Sequence, residues 1–327
     1  MINLETEYLG LKLKNPIIVA SSGLSNSVNS IKKLAENGAG AIVLKSLFEE
    51  QILAETAQNI SLDQSYGHEV HDYITAHMRR SKLSDYTTLI REAKKEVDIP
   101  IIASINCITD REWISFTKEI ENAGADALEL NIGVLPSDHE ISSRENEEKY
   151  FQILEKIRRS TNLPIAVKIT RYSAGLANFI KKISWSGFVD GIVIFNRYFQ
   201  PDIDIDKMEI TTSGVFSSSA SISTSLRWVA IMSNKIETPI SATTGIHTGA
   251  DVVKQILVGA NNVQIASTLY KNGPEQIKKM LDEMTEWMEK KSYKSLDDFR
   301  GVMALKNDVN TIAFERIQFM KHYGSIE

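Results

Sequence analysis

Two short segments in the last third of the chain carry the residue types that hold a phosphate. The first, Thr243-Thr244-Gly245-Ile246-His247-Thr248-Gly249, follows an apolar run and opens directly into a helical pattern; the second is Ala266-Ser267-Thr268-Leu269. Small and hydroxyl residues let backbone N–H groups and Ser/Thr hydroxyls surround an anion, and a helix start adds the favourable end of its dipole. The ligand implied is phosphorylated, either cofactor or substrate; ordinary tight turns would have the same composition. Lys45 follows an apolar run and Lys168 lies inside one. An ammonium in such a place is costly unless it meets an anion or a developing negative charge. Asn131 and Asn196 close two further runs, where each presents an amide to a planar polar ligand or serves as a buried structural amide.

Other groups carry less. His68, His71 and His77 cluster, but Gly67-His68-Glu69-Val70-His71 lacks the spacing of a zinc-binding H-E-x-x-H helix, and no metal is expected. Cys107 reads as a small buried apolar residue rather than a nucleophile. Arg144 to Lys149 reads as the solvated start of a helix.

Eight apolar runs of strand length must position the chemistry: 16–20, 41–44, 101–105, 127–130, 165–169, 191–195, 240–243 and 262–265. Most lack polar alternation, as parallel strands covered on both faces do. Between them lie helical spacings, at Ile31/Leu34/Ala35, Trp113/Phe116/Thr117/Ile120, Tyr150/Ile153/Leu154/Ile157 and Val252/Val253/Ile256/Leu257. Four times a helix end passes through a glycine (Gly38, Gly124, Gly187, Gly259) into the next strand, which calls for a left-handed residue. Strand–helix alternation with eight strands predicts an α/β fold, a (β/α)8 TIM barrel formed as one domain over residues 1–327. A doubly wound open sheet is the alternative, weakened because no G-x-G-x-x-G follows the first strand. Two connections, Ser46 to about Lys82 and Arg197 to about Thr224, are too long for ordinary βα loops. They are expected as long insertions over the C-terminal face, where lids occur.

The chain has 327 residues and a formal net charge of −5. With a pI near 5.8, nucleic acid is not the expected partner. One cysteine excludes an internal disulfide and suits a reducing, cytoplasmic setting. The start, MINLETEYLG, has neither the basic nor the apolar part of a secretory signal, and no apolar run is long enough to span a membrane.

These residues, in this order, resemble the dihydroorotate dehydrogenase family (class 1-like), whose members are FMN-containing (β/α)8 barrels. The resemblance runs from Asn15-Pro16 and Ala20-Ser21-Ser22-Gly23 through Lys45-Ser46, Glu129-Leu130-Asn131 and Val167-Lys168. It continues through Asn196, Thr244 to Gly249 and Gln264 to Ser267, and reaches the tail Tyr293 to Gly301. It implies that Ala20, Ser21 and Gly23 border the flavin, with Lys45 and Ser46 beside its ring and the substrate. Lys168 would stabilise the anionic reduced flavin at its N1/O2 edge, while Thr244, Gly245, Ala266 and Ser267 hold the FMN phosphate. Asn131 and Asn196 would bind the substrate. The implied reaction removes a proton from C5 of dihydroorotate with a side-chain base and passes a hydride from C6 to flavin N5, a step of pyrimidine biosynthesis.

The chain departs from the family at the base. Where relatives carry Asn-Leu-Ser-Cys-Pro-Asn, this chain reads Asn131-Ile132-Gly133-Val134-Leu135-Pro136, so the base position falls on Val134 or Leu135, depending on the gap. The Asn-x-Met-Gly-x-x-Asn loop is not recognisable between Ala57 and Lys82, and the glycine-rich phosphate loop reads Ser217-Ser218-Ser219-Ala220. Ser137, Asp138 and His139 are the nearest proton-carrying candidates, to be counted with Lys45 as the catalytic set. Were His139 the base, its loss would slow flavin reduction about 100-fold. Arg197, where relatives have Ser or Thr, would pair with a substrate carboxylate or face solvent. The resemblance also implies a small-molecule substrate, an electron acceptor that cannot be read here, and a homodimer. The start at the barrel, with no amphipathic extension, points away from the membrane-associated quinone-linked form. Two other functions fit the same phosphate site: a sugar-phosphate isomerase or lyase, and a flavin- or nucleotide-binding protein without its base.

Overall fold

The computed structural model describes residues 2–61, 68–107, 110–198 and 200–306 together with a few positions between 311 and 321; for 56–61, 68–74, 110 and 111 it describes the backbone alone. The chain opens with an antiparallel hairpin, β1 (Thr6–Tyr8) and β2 (Leu11–Leu13), and then runs through β3 (Ile17–Val19), β4 (Ala41–Val43) and the two-residue β5 (Leu47–Phe48). Next come β6 (Ile101–Asn106), β7 (Ala127–Asn131), β8 (Ile165–Ile169) and β9 (Gly191–Ile194). A second hairpin, β10 (Pro201–Asp204) and β11 (Glu209–Thr212), precedes β12 (Ile240–Thr243) and β13 (Asn262–Ile265). Strands β3, β4, β6, β7, β8, β9, β12 and β13 are parallel neighbours in that order. The ring closes through β13 against β3, so the protein is a (β/α)8 barrel. The open-sheet alternative is excluded by that closure. All eight apolar runs became these strands, and the four glycines expected at helix ends all have positive φ.

The apolar runs fill two cores. Outward residues such as Ile17, Val19, Ile42 and Ile101 pack under the surrounding helices. Inward residues Ile18, Ala41, Val43, Ile102, Ala127, Ala166 and Val193 meet Tyr8, Leu9 and Leu13 of the first hairpin, which plugs one end of the barrel. The close fit requires Gly191, because a Cβ there would lie 2.7 Å from Leu9 Cδ2 and 2.9 Å from the Tyr8 ring.

Two-residue periodicity then changes the lining with height. Following Ile102, Ala127 and Ala166, the next inward positions along the same strands are Ser104, Glu129 and Lys168. The bottom of the barrel is therefore apolar, and its mouth is lined by chemistry.

The long connections differ from plain loops. The first is helical, with Glu49–Ser61 followed by His68–Glu96, and the latter buries Tyr86, Ile90 and Ala93 as an ordinary outer helix of the barrel. The second carries the β10–β11 hairpin, whose Ile203, Ile205, Met208 and Ile210 are exposed, and then a serine-rich turn into the helix Ile222–Met232. Among the described residues no helix is long and apolar enough to cross a membrane.

Candidate active site

A cavity of about 290 Å³ opens over the strand ends that carry the polar lining. Every residue expected near the flavin borders it. Ala20, Ser21 and Gly23 come from the end of β3, Lys45 and Ser46 from the turn after β4, and Lys168 from β8. Thr244 and Gly245 follow β12, and Ala266 and Ser267 follow β13. Asn131, Asn196 and Arg197 border the same space.

The floor is an ionic cluster drawn from three strands. Lys168 Nζ stands 3.5 Å from Glu129 Oε1 and donates to Gln264 Oε1 at 3.4 Å, while Gln264 Nε2 donates to Glu129 Oε2 at 2.6 Å. Glu129 is 1 % exposed and Lys168 8 %. Both contacts of the ammonium are long, so Lys168 keeps donor capacity for a partner in the cavity. Burial first, and the Glu129 charge second, hold the Tyr8 phenol well above its ordinary range. Glu129 and Gln264 carry the resemblance without a role of their own in the sequence reading; the signal for one is a charged or amide residue inside an otherwise apolar strand.

One wall is a chain of hydroxyls. Ser21 Oγ lies 3.0 Å from Ser46 Oγ and accepts from the Ser46 N–H at 2.9 Å. Ser46 Oγ lies 2.6 Å from Ser104 Oγ, and the buried Tyr86 hydroxyl exchanges hydrogen bonds with the Ser104 backbone. These bonds fix the Lys45–Ser46 turn against the barrel wall.

The opposite end has the form of an anion cradle. Thr244 and Gly245 both take positive φ, +77° and +81°. A Cβ on Gly245 would lie 2.2 Å from the Ile222 backbone nitrogen, so the turn lies directly against the start of the helix Ile222–Met232. Ser217 joins the segments: its N–H donates to Ser267 Oγ, its Oγ accepts from the Gly245 N–H, and its carbonyl accepts from Lys271 Nζ. His247 Nε2 lies 3.2 Å from Ser217 Oγ. Burial, reinforced by Lys271, lowers the His247 pKa and favours the neutral imidazole. The serine-rich segment has replaced glycines by hydroxyl donors while the turn it faces remains glycine.

The substrate-side expectations divide. Asn196 Nδ2 donates to Asn131 Oδ1, so the two amides form one unit at the cavity edge. Arg197 is already engaged: it donates to the carbonyls of Gly214 and Val215 and to Gln200 Oε1, fastening the base of the β10–β11 hairpin. Arg197 thus borders the cavity with part of its guanidinium spent on the hairpin.

The expected catalytic set splits as well, because Lys45 lines the cavity and Ser137, Asp138 and His139 do not. All three lie on an exposed stretch, and the His139 side chain is 92 % exposed with only Glu140 beside it. In the loop after β7, Val134 packs against the apolar shell while residues 135–140 are exposed. Replacing His139 by alanine is therefore expected to leave the flavin reduction rate within about 2-fold, against the ~100-fold loss of a true base; stopped-flow absorbance checks this.

Cys107 is buried, and burial first, then Glu49 and Glu112, push its thiol up, in keeping with an inert residue. The side chains of His68 and His71 lie outside the described residues. Among the described residues no group of three His, Cys, Asp or Glu is placed to hold a metal.

The residues present fit FMN. A cation floored by a buried carboxylate suits the electron-rich end of a reduced flavin, and a turn that admits no side chain suits a phosphate held by backbone N–H groups.

The family model described as dihydroorotate dehydrogenase matches residues 3–288. Among curated proteins the chain is 24 % identical over 303 residues to the dihydroorotate dehydrogenase B (NAD(+)) catalytic subunit of Methanocaldococcus jannaschii, covering 91 % of this chain and 97 % of the relative. It is 25 % identical to the protein of the same description from Thermoplasma acidophilum, over 92 % and 99 % of the two chains. To the dihydroorotate dehydrogenase A (fumarate) of Lactobacillus helveticus it is 26 % identical, over 92 % and 98 %. With its closed barrel, its polar mouth and a family match over most of its length, the chain belongs to the dihydroorotate dehydrogenase family as a divergent member.

Proposed function

We propose that this protein is an FMN-dependent oxidoreductase acting across a CH–CH bond of dihydroorotate or a closely related small ring. The observation that carries the reading is one cavity with Lys168, Glu129 and Gln264 at its floor and the Gly245 turn at its far end. FMN, when bound, supplies the hydride acceptor. The chain supplies the rest. Gly245, Ala266 and Ser267 hold the phosphate through the turns after β12 and β13. Lys168 sets the charge beside the ring, and Lys45 with Ser46 holds the face the substrate approaches. The joined amides of Asn131 and Asn196 orient a planar polar ring. One observation favours a second substrate within the same chemistry: neither Val134 nor Leu135 can accept a proton, so a ring other than dihydroorotate is the companion reading.

The names of the relatives point to NAD(+) and to fumarate as ways out for the electrons, and the word "catalytic subunit" points to a partner chain. A homodimer in a reducing cytoplasm belongs to the same reading. The test begins with the absorbance of the purified protein, expected to be that of a flavin. Anaerobic mixing with dihydroorotate should then bleach it. A colourless protein that takes up no added FMN overturns the reading, while a yellow protein that dihydroorotate leaves oxidised moves the substrate to the companion ring. A sugar-phosphate isomerase would have no flavin spectrum.

A further inference from the structure

We propose that the Tyr198 phenol is the proton-transfer group of this site, standing in for the side chain that neither Val134 nor Leu135 supplies. The inference rests on the flavoprotein reading above and concerns a residue to which neither the motifs nor the relatives' names assign a role.

Tyr198 follows Asn196 by two residues, and both line a second cavity of about 300 Å³ that shares Phe195, Asn196, Arg197, Thr243 and Thr244 with the first. Its Oη is buried, meets no well-aligned hydrogen-bond partner among the described residues, and has the Asn196 side chain as its nearest polar influence. Leaving a buried hydroxyl unpaired weakens a fold, so such a group calls for an explanation. Its neighbour supplies one. A Cβ built on Gly133 would lie 3.3 Å from Tyr198 Oη and 3.5 Å from Asn106 Nδ2. The phenol thus reaches the loop after β7 just before Val134 and Leu135, the two positions on which the resemblance lets the base fall, and the missing side chain at 133 makes room for it. Asn196 lies close by; one N–H of its amide donates to Asn131 Oδ1, and the same side chain lowers the phenol's pKa slightly.

The alternatives are few. Among the described residues lining either cavity, Glu129 is the one carboxylate and no histidine is present. Glu129 is enclosed beneath Lys168 and Gln264. The titratable groups facing Tyr198 are Tyr172, with ring centroids 6.2 Å apart, and Tyr150; the Arg171 guanidinium stands over the Tyr172 ring. Burial holds the Tyr198 phenol above its ordinary value, against a smaller lowering by Asn196. The group is therefore a neutral acid at neutral pH. In the reducing direction the phenol O–H breaks and its proton goes to one carbon of an electron-poor C=C bond, while a hydride from the reduced flavin goes to the other. In the oxidising direction the phenolate would take the proton as the C=C bond forms, with bound FMN as the two-electron acceptor that the hydride would need.

The sign of the pH dependence follows. Oxidation of dihydroorotate needs the minor phenolate and should rise about tenfold per pH unit between pH 6 and 9; reduction uses the major phenol and should be flat. The experiment compares wild type with Tyr198→Phe. The first readout is thermal unfolding and FMN content: removing an orphaned hydroxyl should leave Tm equal or higher and FMN unchanged. A Tm several degrees lower would mark the phenol as structural and overturn the proposal. The second readout uses dithionite-reduced protein mixed anaerobically with N-ethylmaleimide, an electron-poor alkene that needs no assumption about the natural ring. Wild type should be reoxidised at a pH-independent rate and Tyr198→Phe at least about 100-fold more slowly. Equal rates, or a wild type that does not reduce the alkene, overturn it. A wild type inert to dihydroorotate but with a Tyr198-dependent reaction here would reject that substrate and retain the residue.

Discussion

Lys168→Met is expected to cost about 3–5 kcal/mol of folding stability, because it leaves the Glu129 carboxylate buried without its cation. At this chain length that corresponds to a fall in Tm of about 4–7 °C. Glu129 has few ways to recover. It is 1 % exposed, and its other contact, the Gln264 amide, already donates to Oε2. Removing the anion as well separates the causes: Lys168→Met combined with Glu129→Gln should regain most of the stability, since a neutral amide can still accept from Gln264 Nε2. FMN affinity should not return with it, because the positive charge beside the ring is still missing. Thermal unfolding and fluorescence titration with FMN read the two effects separately. A single variant as stable as wild type, or a double variant no better than the single one, would show that the cluster is not the coupled ion pair its geometry describes.

Gly245→Ala is expected to abolish FMN retention, with an affinity loss of at least about 100-fold, or ~2.7 kcal/mol. Two costs coincide at this position. The residue has φ +81°, which an alanine occupies at about 1 kcal/mol. Its Cβ would also lie 2.2 Å from the Ile222 nitrogen and 2.7 Å from the Ser221 carbonyl carbon, both backbone atoms of the facing turn. That turn must move, and with it Ser217, which holds the Gly245 N–H and Ser267 Oγ. Gly124→Ala is the control. It has a similar φ, +88°, but nothing within 4 Å of the added Cβ, so it should lower stability by about 1 kcal/mol and leave FMN bound. FMN content after purification checks both. Equal retention by Gly245→Ala and wild type would place the phosphate elsewhere.

Much of this architecture was legible because its signals are local. An apolar run covered on both faces, a glycine at a helix end and a hydroxyl-rich turn each reveal themselves within a few neighbours. The helix His68–Glu96 was less legible. Its buried residues Tyr86, Ile90 and Ala93 follow helical spacing, but they lie at the end of a polar stretch that read as a loop. The hairpin that plugs the barrel was missed because Leu9 and Leu13 look like any short apolar segment until the ring exists to receive them.

By itself, the sequence determined the eight strands and the residues at each strand end, since these depend on period and spacing along the chain, while closure of the ring was decided by the pairing of β13 with β3. It also singled out Lys45, Lys168, Asn131 and Asn196 at or near strand ends. Tertiary structure alone decided which of those groups meet. Glu129, Lys168 and Gln264 come from three strands and touch only because barrel closure aligns their inward positions at one height. The same closure left His139 in solvent, engaged Arg197 with the hairpin, and brought Tyr198 to the bare backbone of Gly133, contacts between residues distant in the chain that no local pattern encodes.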